Sequence, residues 1–229
     1  MKILCTICAR SGSKGVLNKN IKKINNKPLI THTIDQARKS KLFNKIVVST
    51  NSDKICQISM NSGIDKCIKR PNKLSDDYSP KLLSIKHAFT KSEFIFKQKF
   101  DILIDLDVTS PLRSISDIKK ALNHFKKNGI NNLISVCLSR KNPYYNMYEF
   151  KNKKLNIIAS LSSQIKRRQD APIVYENNAS IYIWNRKAIL RNSKILNKNT
   201  IFYEMPYERS IDIDSKFDFK IVKYIIENK

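Results

Sequence analysis

Strand-like and helix-like segments alternate through the first two-thirds of this 229-residue chain, which limits the folds open to it more than any other feature. KILCTICA (2–9) is a short apolar run with strand character. PLITHTIDQARKSKLF (28–43) sets Leu29, Ile30, Ile34 and Ala37 at helical spacing behind a proline. KIVVST (45–50) reads as a buried strand, and Ser52-Asp53 predicts the cap of a helix running through Met60. DKCIKR (65–70), DILIDLD (101–107) and NLISVCLS (132–139) are further strands. SPKLLSIKHAFTKSEFIF (79–96) and ISDIKKALNHFKKNG (115–129) are helices, the second closed by Gly129. Strands joined through helices pair in parallel and are covered on both faces, so the expected class is α/β, a mostly parallel sheet flanked by helices.

The rhythm breaks over residues 140–177 into short polar and aromatic pieces, read as an inserted lobe or hairpin within a single domain spanning 1–229. ASIYIWNR (179–186) returns to strand and a short helix follows. IDID (211–214) then predicts a closing strand before the helix SKFDFKIVKYIIENK. The formal charge of +25 would suit a nucleic-acid binder, but the lysines are spread along the whole chain and no RNP, KH or zinc-finger pattern occurs. Such a charge equally suits an enzyme whose substrates are anions. Five scattered cysteines (Cys5, Cys8, Cys56, Cys67, Cys137) predict buried reduced thiols rather than zinc, with Cys5 and Cys8 on opposite faces of one strand. No apolar run approaches the roughly 18 residues of a membrane span, and Met1 leads directly into a strand, so a cytoplasmic protein is expected.

The chain has four glycines, and two of them fall in ARSGSKGVLNKN (9–20), just after the first strand. Ligands of α/β sheets collect beyond the carboxyl ends of the strands. There Gly12 and Gly15 would let backbone amides approach an anion, and Arg10, Lys14 and Lys19 could pair with phosphate oxygens. The spacing matches neither GxxxxGK[ST] nor GxGxxG. By itself the segment fits a solvated glycine turn about as well.

Ala9-Arg10-Ser11-Gly12-Ser13-Lys14-Gly15 followed by Lys19-Asn20 resembles the signature loop of the acylneuraminate cytidylyltransferases, which couple a nine-carbon keto sugar acid to CMP. KIVVSTNSD (45–53), KRPNKLSDD (69–77), LDVTSPLRS (106–114), NNASIYIW (177–184) and SIDIDSKFDF (210–219) resemble further blocks of that family in the same order. The loop variants ICARSGSKG and DLDVTSPLR are most similar to those acting on legionaminic-type sugars. The resemblance implies a nucleotide-diphospho-sugar-transferase (GT-A-like) sheet with CTP on the opening loop. Arg10, Gly12, Ser13, Lys14, Gly15, Lys19, Asn20 and Arg70 would bind the nucleotide, Arg10 and Lys14 also serving catalysis. It implies Mg²⁺ on Asp212 and Asp214, which a strand would turn to the same side, a geometry suited to a hard cation. It implies sugar contacts from Arg168, Gln169, Asn178 and Tyr182, with Lys141, Tyr144 and Tyr145 as further candidates. The lobe would be a dimerisation element reaching across a homodimer. No membrane and no specific nucleic acid are expected as partners.

One departure stands out. Asp107 occupies the position where many sialate enzymes carry Gln, placed near the sugar acid. It could bind the sugar or the metal, or orient or deprotonate the attacking hydroxyl. Asp105 shares its strand face, so a cluster with Asp212 and Asp214 is conceivable. Asp218 is as suited to capping the last helix as to touching metal, and the three histidines (His32, His87, His124) read as structural. CMP-pseudaminate or CMP-N-acetylneuraminate synthesis remains an alternative, as does a non-catalytic sugar-nucleotide or RNA binder. A Kdo cytidylyltransferase would share fold and reaction but carries a different opening loop.

Overall fold

A computed structural model describes residues 1–12, 15–76, 78–161 and 165–228. Its centre is a seven-stranded sheet built on β1 (Ile3–Cys8). A small hairpin of β2 (Lys23–Ile24) and β3 (Lys27–Pro28) leads into α1 (Leu29–Ser40), β4 (Lys45–Thr50), α2 (Asp53–Asn61) and β5 (Lys66–Lys69). Next come α3 (Lys81–Phe96), β6 (Ile102–Leu106), α4 (Ile115–Asn128) and β7 (Asn132–Leu138). The lobe contributes β8 (Tyr148–Lys151) and β9 (Lys154–Ile157), which pair only with each other. The chain ends with β10 (Tyr175–Asn185), α5 (Arg186–Arg191), β11 (Thr200–Glu204) and α6 (Lys216–Glu227).

The strand order is β11-β7-β10-β6-β1-β4-β5. Every pairing is parallel except those of β10, which runs antiparallel between β6 and β7. Both faces are buried, as the apolar strands require. Ile3, Cys5 and Ile7 of β1 pack with α1, α4 and α6, while Leu4 faces the cluster of α3 and α5. Cys5 and Cys8 accordingly face opposite ways.

The termini explain several boundaries. Ser52 caps α2 by accepting from Ile55 N, and Gly129 ends α4 with φ +60. Ser114 with Asp117, and Ser215 with Asp218, form reciprocal capping boxes on α4 and α6.

Two expectations need correction. IDID is not a strand: residues 211–214 lie outside the sheet, held by Ile213 N donating to Thr109 O (3.0 Å). The strand in that region is β11, which lies further upstream and pairs with β7 at the sheet edge. Cys56 and Cys67 are not free thiols, because α2 packs against β5 and brings their Cα atoms to 5.6 Å, where they are disulfide-bonded. Cys5, Cys8 and Cys137 remain free.

Candidate active site

A cleft of about 390 Å³ opens at the carboxyl ends of β1, β4, β5 and β6. Topology puts it there because β1 is the strand from which the sheet was built outward in both directions. Of the expected nucleotide residues, Arg10, Gly15, Lys19, Asn20 and Arg70 line it; Ser13 and Lys14 lie outside the described residues. Gly12 adopts φ +82, a conformation costly for any side chain.

Arg70 is buried, its Nη2 and Nε donating to Ser49 O (2.8 Å) and Ser49 Oγ (3.2 Å) beyond the middle of β4. Asn20 is also buried and donates to Arg10 O (2.9 Å), closing the loop upon itself. Arg10 reaches Ser75 O (3.3 Å), joining this loop to the one after β5. Lys19 hydrogen-bonds Ile213 O and lies 3.5 Å from Asp214. The first loop and the segment carrying Asp212 and Asp214 are thus pressed together, and a Cβ on Gly15 would sit 1.9 Å from Asp214 O. Gly15→Ala is therefore expected to push the two apart and to cost about 2 kcal/mol of stability, read by urea unfolding.

Asp212 and Asp214 both line the cleft, with Ile213 between them buried in the core. Asp214 is largely exposed, whereas Asp212 Oδ1 is buried with no hydrogen-bond partner. Burial, then the neighbouring Asp107 charge, pushes Asp212 up to about 6. An orphaned carboxylate oxygen beside a second carboxylate fits a hard divalent cation. Among the described residues no group of three or more His, Cys, Asp or Glu forms a ready-made metal site. Asp218 is engaged instead, accepting from Ser215 N and Oγ (both 2.7 Å) and from Asp214 N (3.2 Å).

Asp107 follows the end of β6. Thr109 N (3.1 Å) and Thr109 Oγ1 (3.0 Å) donate to its Oδ1, and Lys81 Nζ donates to Oδ2. Burial would raise this carboxylate, but the Lys81 charge and these donors outweigh it and hold Asp107 below its ordinary range. Such a group is a weak proton acceptor and a good fixed hydrogen-bond acceptor.

Of the other residues expected to touch the sugar, none lies on the cleft wall. Tyr182 is buried, its ring stacked on Trp184 (5.8 Å) and its hydroxyl accepting from Asn177 (3.2 Å). Asn178 is used up internally: it donates to Ser210 Oγ (2.9 Å) and accepts from Ser135 Oγ (2.6 Å) and Ser180 N (3.3 Å). Its neighbour Ala179 is held at φ +53 in the bulge where β10 slips against β7. Arg168 and Gln169 are exposed in a single 3-10 turn of the lobe, where Arg168 donates to Arg140 O (3.4 Å).

Sequence reasoning missed three residues. Lys81 begins α3 and lies on the cleft wall between Asp105 and Asp107. Arg113 is buried beneath Asp107, its Nη1 donating to Ser180 O (2.7 Å) and its Nη2 to Gln36 Oε1 (2.9 Å). Arg209 grips the buried Asp117 through two bonds (2.9 and 3.0 Å), stapling the loop before Asp212 to the start of α4. The one signal in the sequence was Lys81 itself, a cation in the first turn of a helix where the macrodipole disfavours it.

Burial opposes the charge of Asp117, but the Arg209 and Ser114 donors prevail and hold its carboxyl below the ordinary range. A depressed carboxyl stabilises the fold above its unfolded pKa and loses that contribution as pH falls through the folded value. Arg209→Ala should cost about 2 kcal/mol at pH 7 and progressively less as pH falls below the ordinary carboxylate range, measured by urea unfolding across that range.

A basic loop faces a carboxylate pair across the carboxyl ends of a mixed α/β sheet, an arrangement that suits a nucleotidyltransferase. The chain belongs to the cytidylyltransferase family, whose model matches residues 4–225. It is 46% identical over 228 residues to the CMP-N,N'-diacetyllegionaminic acid synthase of Campylobacter jejuni, covering all of this chain and 96% of that one. It is 34% identical to the N-acylneuraminate cytidylyltransferase of Streptococcus agalactiae, with 96% of this chain and 52% of that protein covered. In fold it is similar to a CMP:2-keto-3-deoxy-manno-octonic acid synthetase solved with CTP, with TM-score 0.74, 16% identity and coverage of 100% and 99% of the two chains.

Proposed function

We propose that this nucleotidyltransferase transfers CMP from CTP to the anomeric hydroxyl of a nine-carbon 2-keto sugar acid of the legionaminic type, releasing pyrophosphate. The observation that carries the reading is the cleft itself. Arg10, Lys19 and Arg70 line the wall that would receive a triphosphate, opposite Asp212 with its unpartnered buried oxygen. The 46% identity to a CMP-N,N'-diacetyllegionaminic acid synthase supports the sugar class over pseudaminate, for which the Campylobacter jejuni cytidylyltransferase is 28% identical.

Arg10 and Lys19, with Lys14, would hold the triphosphate and stabilise the charge on departing pyrophosphate. Asp212 and Asp214 would hold Mg²⁺, which when bound adds to that charge neutralisation. Asn20 and Arg70, both anchored to backbone carbonyls, would fix the nucleotide against the strand ends. Asp107, already bound by Lys81 and Thr109, would orient the sugar by accepting a hydrogen bond rather than by taking its proton.

Arg168 and Gln169 lie on the lobe and not on the cleft wall, so a single chain would leave the sugar half of the proposed site incomplete. The lobe also exposes Tyr148, Phe150, Leu155 and Ile173. A homodimer in which each lobe covers the partner's cleft would bury that apolar surface and deliver both residues. No described helix is long and apolar enough to cross a membrane, in keeping with a cytoplasmic enzyme working on a cytoplasmic CTP pool.

The test is pyrophosphate release with CTP and Mg²⁺ from N-acetylneuraminic acid, N,N'-diacetyllegionaminic acid, a pseudaminic acid and Kdo. Turnover strongest with the legionaminic acid upholds the reading. Preference for another acid overturns the sugar class, and silence with all four overturns the reaction.

A further inference from the structure

Four carboxylates on three segments line the cleft, Asp76, Asp107, Asp212 and Asp214, and a fifth, Asp105, is buried on β6. Asp105 is fully buried; its Oδ1 accepts from Thr6 Oγ1 (2.6 Å), and its Oδ2 has no hydrogen-bond partner. Its ion-pair partner among the described residues is Lys81, 3.6 Å away, whose Nζ also binds Asp107 Oδ2. The same ammonium stands 4.4 Å from the centroid of the Tyr182 ring, so three groups fix it from below and from one side. Lys81 opens α3 behind Pro80, which offers no side-chain cap, so the local helix gains nothing from a cation there. What holds Lys81 in place is the pair of carboxylates on β6 and just beyond it.

We propose that Lys81 is a positioning residue for the transfer reaction, a built-in counter-ion that reserves Asp105 and Asp107 from the divalent cation and leaves that cation to Asp212 and Asp214. The inference rests on the proposed CTP-dependent reaction for its kinetic consequences, though not for its metal-binding ones. An ammonium already shared by two carboxylates is a poor ligand for an incoming triphosphate, which Arg10, Lys19 and Arg70 are placed to meet. Its charge instead offsets that of the β6 side, so a polyanionic nucleotide and an anionic sugar meet fewer uncompensated carboxylates. Asp107 is thereby kept in one orientation, with Oδ1 on Thr109 and Oδ2 shared between Lys81 and the cleft.

The experiment compares wild type, Lys81→Met, Asp107→Asn and the double variant. Equilibrium binding of Mn²⁺ alone, followed by electron paramagnetic resonance, should show one more ion per chain in Lys81→Met than in wild type. The count should return to the wild-type value in the double variant. With CTP and N,N'-diacetyllegionaminic acid, Lys81→Met should lower kcat by about fiftyfold or more while calorimetric CTP affinity stays within about threefold, and the double variant should recover about tenfold of that loss. An unchanged Mn²⁺ count, or a loss of CTP affinity of about tenfold or more that Asp107→Asn does not relieve, overturns the proposal and makes Lys81 a phosphate ligand. Should Lys81→Met fail to fold, the double variant decides the matter. Activity within about tenfold of Asp107→Asn alone upholds the counter-ion role, and activity at background overturns it. Silence of wild type with every sugar acid, with the Mn²⁺ counts as expected, would refute the proposed reaction and leave the role of Lys81 standing.

Discussion

Asp212→Asn is expected to lower pyrophosphate release by about three orders of magnitude while making the metal-free protein more stable at pH 7.5. The two effects share one cause. Asp212 Oδ1 is buried with no partner, and burial followed by the Asp107 charge raises the carboxyl from 3.8 to about 6. A carboxyl raised on folding stabilises the protein below its unfolded pKa, and that contribution disappears as pH climbs through the folded value. Above about pH 6 the ionised group costs the fold on the order of 2–3 kcal/mol, which the amide would remove. Thermal melts without metal at pH 5 and pH 7.5 should show the full gain for Asp212→Asn at the higher pH and about half of it at the lower. Asp214→Asn should reduce turnover as well, but its side chain is 81% exposed and its melting point should hardly move. Turnover by Asp212→Asn within tenfold of wild type would remove this carboxylate from the reaction.

Arg113→Ala is expected to be the most destabilising substitution near the site, by about 3–5 kcal/mol, from lost packing and from acceptors left unmet. The guanidinium is 2% exposed and lies beneath Asp107. Its Nη1 serves Ser180 O, Ser180 Oγ and Asp107 O, and its Nη2 serves Gln36 Oε1 and Asp107 O. These acceptors belong to β10, to α1 and to the turn after β6, so Arg113 fastens together three elements that frame the cleft. Truncation strands their oxygens in the core. Arg113→Lys would keep the charge but not the fork, and should retain less than half of the lost stability. Urea unfolding of the three proteins checks this; an Ala variant within 1 kcal/mol of wild type would contradict the hub role.

Much of the architecture was legible because its signals are local. The apolar runs of β1, β4, β6 and β7, the Ser52 cap and Gly129 each announce an element within a few residues. Residues 211–214 misled because Ile211 and Ile213 alternate inward as in a strand, yet they pack below the first loop with no neighbouring strand to pair with. TIFYE at β11 is not among the strands read from the sequence, and pairing with β7 makes it the sheet edge.

The sequence alone determined the α/β class and the position of the basic glycine loop at the end of the first strand, because period and loop chemistry act over a handful of residues. Only the tertiary structure decided that Lys81 neutralises Asp105 and Asp107, that Arg113 and Arg209 brace the cleft, and that Asn178 and Tyr182 are spent inside the protein. The physical reason is that charge pairing and burial depend on which groups meet in space. Lys81 and Asp107 are 26 residues apart, and Arg209 and Asp117 are 92 apart, so nothing in their own neighbourhoods announces the partner.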